Sequence, residues 1–145
     1  SHDAADPIGI NVFAGNNKAT VVTDTGVISD DILRRLDDTT LLVLEANYDP
    51  HMLRFGPYQP FLKQRVASDE GHLSNEMAAQ ALLMMKRPNF MQVILAHRSE
   101  NNNNAVLVTQ TIGKMLVDGG VRIGPEMKLQ HGQPNEIVSI QSVKR

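Results

Sequence analysis

A chain of 145 residues with 41% hydrophobic content is long enough for one domain with its own core, and no apolar run approaches the roughly 18 residues of a membrane-spanning helix. The absence of cysteine excludes disulfides and thiolate metal sites, so a transition metal would have to be held by histidine and carboxylate. Fourteen Lys+Arg against sixteen Asp+Glu give a net charge of -2 and aromatics make up 4%, which argues against general attraction to nucleic acid or membrane and against base-stacking platforms.

In chain order, residues 8–14 and 19–23 read as two strands around Gly15-Asn16-Asn17-Lys18, where Gly and Asn tolerate the positive φ of a hairpin turn. The second runs straight into Asp24-Thr25-Gly26. Ser29-Asp30-Asp31 then caps a short helix over 32–36, with acids against the positive end of its dipole. A buried strand at 41–44 ends on Glu45. Residues 46–66 contain Pro50, Gly56, Pro57 and Pro60, so they form an irregular excursion with short helical pieces rather than one helix. Arg54, Lys63 and Arg65 make a modest basic cluster on it, candidates for contacting a phosphate substrate, although solvated surface charge is the plainer reading.

The clearest helix opens at Gly71-His72-Leu73-Ser74-Asn75-Glu76, with Ser74 at the N-cap. Its apolar stripe is Met77, Ala78, Ala81, Leu82 and Met85, and Arg87-Pro88 stops it. His72, just before the cap, reads as a surface residue able to face a cleft. Residues 93–96 are a short apolar run suited to a strand buried on both faces, and it ends abruptly on His97. Asn101 to Asn104 precede and cap a helix over 105–117, whose apolar side carries Ala105, Val108, Ile112, Met115 and Leu116. Gly119-Gly120 ends it. Two short strands around His131-Gly132-Gln133-Pro134-Asn135 finish the chain at 137–140, with His131 in the turn and without a role.

Three apolar strands thus deliver Asp24, Glu45 and His97 at their ends, where a fixed backbone meets an open loop. Each residue taken singly is an ordinary strand-end polar group, and a small non-enzymatic α/β domain for binding or assembly is the competing reading. A doubly wound nucleotide-binding domain fits poorly, because no Gly-rich phosphate loop follows any strand.

Taken in order and spacing, Thr23-Asp24-Thr25-Gly26, Leu42-Val43-Leu44-Glu45-Ala46-Asn47, Gly71-His72-Leu73-Ser74-Asn75-Glu76 and Leu95-Ala96-His97-Arg98-Ser99 resemble the C-terminal half of metallo-β-lactamase-fold hydrolases. The nearest group is the bacterial phosphodiesterase or exonuclease-like branch related to ribonuclease Z, and the opening stretch from Ser1 to Gly9 resembles the segment with that family's third ligand motif. The resemblance implies an α+β fold: the C-terminal half of an αββα sandwich, a mixed sheet with helices on its outer face, occupying residues 1–145 as a single domain or half-domain. It implies two divalent metal ions, zinc first, with manganese and iron suited to the same donors. Asp24 would bridge the ions, with His97 on the second and His2 on the first. His72 with Glu45 would assist proton transfer at the leaving oxygen, the carboxylate fixing the ring tautomer.

The family's His-x-His-x-Asp-His motif is absent from the chain. The resemblance places that motif upstream of residue 1, in a missing N-terminal half, so the chain alone is expected to be inactive in phosphodiester (nuclease-type) hydrolysis. Its Ser1 start reads as cut. The exposed inner face of the sheet, with parts of the Val21, Leu44 and Ile94 strands, would be covered by that half as a second chain or by a second copy. The substrate class includes RNA, DNA and small molecules, no membrane partner is expected, and the location is expected to be cytoplasmic.

Overall fold

The hairpin forms where glycine and asparagine permit it. In the computed structural model, which describes residues 9–140, β1 (Ile10–Ala14) and β2 (Asn17–Val22) pair antiparallel. The turn is Gly15 and Asn16, with Gly15 at φ 57°. From β2 onward each strand returns parallel to its predecessor: β3 (Leu41–Glu45), β4 (Met91–Ala96) and β5 (Met127–His131) give the order β1-β2-β3-β4-β5. The result is an α+β fold with a five-stranded mixed sheet, as the resemblance implies.

Capping residues set the helices. α1 (Asp30–Leu36) starts where the Ser29 side chain accepts from the Ile32 N–H, with Asp30 and Asp31 in its first turn. The excursion folds into two short helices, α2 (Pro50–Phe55) and α3 (Pro60–Val66), each begun by the proline whose fixed φ suits a first turn. Ser74 caps α4 (Asn75–Met84) and Asn104 caps α5 (Ala105–Asp118), which stops at Gly119. α1, α4 and α5 supply their apolar sides to one core with the face of the sheet that carries Leu42, Leu44, Val93 and Leu95: Leu36, Leu42, Leu44, Leu82, Ile112 and Leu116 are all 0% exposed. Each such side chain contributes about 1.5–3 kcal/mol relative to leaving it in water.

The opposite face has no helix against it among the described residues. Because side chains alternate along a strand, it carries Val12, Val21, Val43 and Ile94, and of these Val12 is 57% and Val21 38% exposed. A hollow of about 940 Å³ lies toward the N-terminal ends of the parallel strands, bordered by Val12, Ala19, Leu41, Phe90 and Ile140.

Two expectations at the end of the chain fail. Residues 137–140 form no strand: Ile137 is 96% exposed, and the tail is held beside β5 by Gln130 Nε2 donating to the Ser139 carbonyl at 3.2 Å. The run Ile137-Val138-Ser139-Ile140 lacks the strict alternation of a half-buried strand, and it lies along the β5 edge without pairing to it. His131 is the last residue of β5 rather than a turn residue, and its Nε2 lies 2.8 Å from Thr109 Oγ1 on α5.

Candidate metal centre

Parallel pairing brings the C-terminal ends of β2, β3 and β4 to one edge, so Asp24, Glu45 and His97 become neighbours although they are far apart in sequence. Asp24 and His97 leave their strands at φ 59° and 52°, in the left-handed region. Such turns cost non-glycine residues on the order of 1 kcal/mol and concentrate at functional sites. Here they swing both side chains back over the sheet edge.

Glu45 is at the centre. Fully buried, it accepts from His72 Nδ1 at 2.5 Å and His97 Nδ1 at 2.8 Å on the same oxygen, Oε1, while Oε2 accepts the Thr25 N–H at 3.2 Å. The two rings are 5.1 Å apart between centroids. Burial alone would raise the Glu45 carboxyl, but the hydrogen bonds from His72 and His97 and their charge outweigh it and hold it below the usual carboxylate range. The His97 imidazole is pushed up by its hydrogen bond to Glu45, against partial burial, with help from the charges of Glu45 and Asp24. Because Glu45 takes Nδ1 of both rings, Nε2 is the nitrogen each can present to a cation.

His97 Nε2 is 3.6 Å from Asp24 Oδ1. Asp24, His72 and His97 each offer a ligand atom, all within 4.8 Å of one another. Two imidazoles and a carboxylate suit zinc, manganese or iron, and three protein donors are what one catalytic zinc normally takes. The described residues therefore fit one cation, and a second needs donors from elsewhere. His2 lies outside the described residues.

The loops around the site are fixed by close backbone approaches and by buried amides. A side chain at Gly26 would come within 2.0 Å of the Ser68 carbonyl, and one at Gly71 within 2.3 Å of those of Arg65 and Val66. Only glycine lets the Asp24 and His72 loops dock on the end of α3. His72 is consequently 3% exposed, not the surface residue its place beside a glycine turn suggests. Asn47 Nδ2 donates to the His97 carbonyl at 2.8 Å, and Asn75 and Asn103 exchange amide hydrogen bonds at 3.1 and 2.8 Å. Asn103 also reaches the Ala46 carbonyl. Thr25, Asn47 and Asn75 stand inside the motif stretches and Asn103 inside the asparagine run, but the sequence assigns none of them a role of its own beyond the helix cap.

The Glu45 carboxylate is met by His72, His97 and the Thr25 N–H, and the ligand atoms grouped with Asp24 belong to His72 and His97, so the three basic residues are in neither set. Arg54 is exposed at the end of α2, Lys63 Nζ donates to its carbonyl at 2.8 Å, and Arg65 is exposed on the last turn of α3, whose carbonyl abuts Gly71.

No family model matches the chain. Exodeoxyribonuclease YycJ of Bacillus anthracis is 34% identical over 143 residues, covering 99% of this chain and 54% of that protein. The chain is similar to exodeoxyribonucleases. A second relative, exodeoxyribonuclease WalJ of Streptococcus pneumoniae serotype 2, is 33% identical over 135 residues, 93% of this chain and 50% of that protein. The chain spans about half the length of the curated relatives it matches. No helix among the described residues is long and apolar enough to cross a membrane.

Proposed function

We propose that this chain is the C-terminal half of a metallo-β-lactamase-fold, metal-dependent phosphodiester hydrolase, and that its substrate is DNA. One observation carries the reading: a single buried carboxylate, Glu45, orients two histidines beside Asp24 at the open end of parallel strands. The printed names of the YycJ and WalJ relatives support the choice of a nuclease and of DNA.

Asp24 and His97 would hold the metal, with His2 adding a donor. When bound, divalent cations would supply a water of lowered pKa and offset negative charge gathering on phosphorus. Glu45 fixes His72 with its Nδ1 proton toward the carboxylate, which makes Nε2 the basic nitrogen, able to hold a proton and release it to a departing oxygen. Burial of His72 keeps bulk water from taking that proton. A second reading of His72, as a third ligand, is favoured by its ligand atom lying within 4.8 Å of those of Asp24 and His97.

Remaining donors, and cover for the apolar sheet face, would come from the other half of the protein as a second chain or from a second copy. That the relatives are about twice as long supports the first. A DNA substrate supports a cytoplasmic location.

The test compares a protein of the relatives' full length with its Asp24→Ala variant. Bound zinc or manganese should fall from about two ions to one or fewer, and release of nucleotides from linear DNA should fall at least about 100-fold, as expected for losing a metal ligand. Equal, near-zero metal in both proteins would overturn the reading in favour of a binding or assembly domain.

A further inference from the structure

Aromatic residues are scarce in this chain, with four phenylalanines and two tyrosines, yet two of the phenylalanines stand in the open on the excursion beside the metal centre. Phe55 at the end of α2 is 67% exposed and Phe61 at the start of α3 is 70% exposed. Both helices have a small core of their own, Tyr48, Leu53 and Val66 with Tyr58 and Leu62, and neither phenylalanine belongs to it. Packing therefore does not account for them.

Phe55 touches two neighbours and leaves most of its ring in the open. The His51 ring lies 4.6 Å from it, one helical turn back, and the Arg54 guanidinium is 5.3 Å from its centroid. Around it the excursion carries three cations, Arg54, Lys63 and Arg65, against one carboxylate, Asp49, whose oxygen is taken by the Met52 N–H of the α2 cap. That local balance is positive in a chain of net charge -2. The excursion is also continuous with the metal centre: the His72 N–H donates to the Val66 carbonyl at 2.9 Å, and the Asp49 N–H donates to the carbonyl of Asn102, five residues beyond His97.

We infer that the His51, Arg54 and Phe55 edge of α2 receives the unpaired bases of a single-stranded DNA end, stacking a base on Phe55 while Arg54 and Arg65 meet the flanking phosphates. The inference rests on the nuclease reading and gives it a substrate form. A ring that is two-thirds exposed beside a second ring and a cation leaves area on which any base can stack, and exposed cations add attraction to the backbone without reading sequence. The composition argues against a broad stacking surface; one ring beside the reaction centre suffices to seat a frayed terminus.

The chain has no tryptophan, so Phe55→Trp introduces a sole indole reporter at the proposed contact. Titrating this variant with a ten-nucleotide oligothymidylate at low salt should quench the indole emission with saturation. Phe55→Ala should weaken binding of the same oligonucleotide about tenfold, within the span measured for loss of one base–aromatic stack. Arg54→Ala should weaken it and flatten its dependence on salt by close to 0.7 in log–log slope, the value for one phosphate contact on a single strand. Phe13→Ala, an equally exposed phenylalanine at the far end of the sheet, should leave binding unchanged. An unquenched indole, or equal affinity for Phe55→Ala and wild type, overturns the inference; self-association weakened by Phe55→Ala would instead assign the patch to a protein contact. Neither result touches the nuclease reading, which stands or falls on the metal content and nucleotide release of the full-length protein.

Discussion

Replacing Glu45 by glutamine removes the charge on which the two histidines converge while keeping the side-chain volume. The amide cannot serve all three donors that now reach the carboxylate: its oxygen can meet the histidines or the Thr25 N–H, and its NH2 then faces a donor on the other side. Hydrogen bonds to a charged group contribute about 1.5–3 kcal/mol each. The His72 bond is fully buried and counts nearly in full, whereas the His97 side chain is 35% exposed and solvent screening cuts its share. The expected loss for the metal-free chain is about 3 kcal/mol, a fall in Tm of roughly 6–12 °C for a domain of this size.

The loss should depend on pH. Glu45 is depressed in the folded chain, so its contribution is present above its unfolded value, close to the ordinary glutamate value of 4.5, and disappears as pH falls through the folded one. His97 is raised, so its contribution is full below its ordinary value of 6.5 and disappears as pH rises through the folded one. The difference between wild type and Glu45→Gln should therefore peak between about pH 4.5 and 6.5. Urea denaturation at a series of pH values in the presence of chelator measures it. A variant that unfolds within 0.5 kcal/mol of wild type, or a difference flat across pH, would refute the reasoning.

Gly71→Ala puts a methyl group within 2.3 Å of two carbonyls at the end of α3, so the backbone must shift. A destabilisation of about 2–4 kcal/mol is expected, together with loss of protection at the His72 amide in hydrogen exchange; retained protection would show that the α3 end can yield. Asn103→Ala strands the buried Asn75 amide and the Ala46 carbonyl, and should cost about 2–3 kcal/mol in chemical unfolding. A cost below 0.5 kcal/mol would mean that water replaces the amide.

Much of the order of elements is legible in the sequence because local rules act alone there. Ser29, Ser74 and Asn104 each cap the helix they precede, and the runs around Val22, Leu44 and Val93 are strands because nothing nearby competes. The convergence of Asp24, Glu45, His72 and His97 was legible only through a resemblance, since residues 27 and 52 positions apart meet only after three strands have paired. His72 could not be seen as buried, because its burial depends on α3 ending against Gly71. The tail failed for a local reason: Ile137-Val138-Ser139-Ile140 is short and does not alternate, so it does not pair although β5 offers an edge beside it.

The alignment of β3 with β4 sets Glu45 opposite Ala96, one residue before His97. A slip of a single residue between these two strands would turn the Glu45 carboxylate toward the helices and strand it in hydrocarbon. Misthreaded forms of this sheet are thus penalised by a stranded charge as well as by lost apolar contact. The register that buries the apolar side chains is the same one that brings Glu45 to His72 and His97.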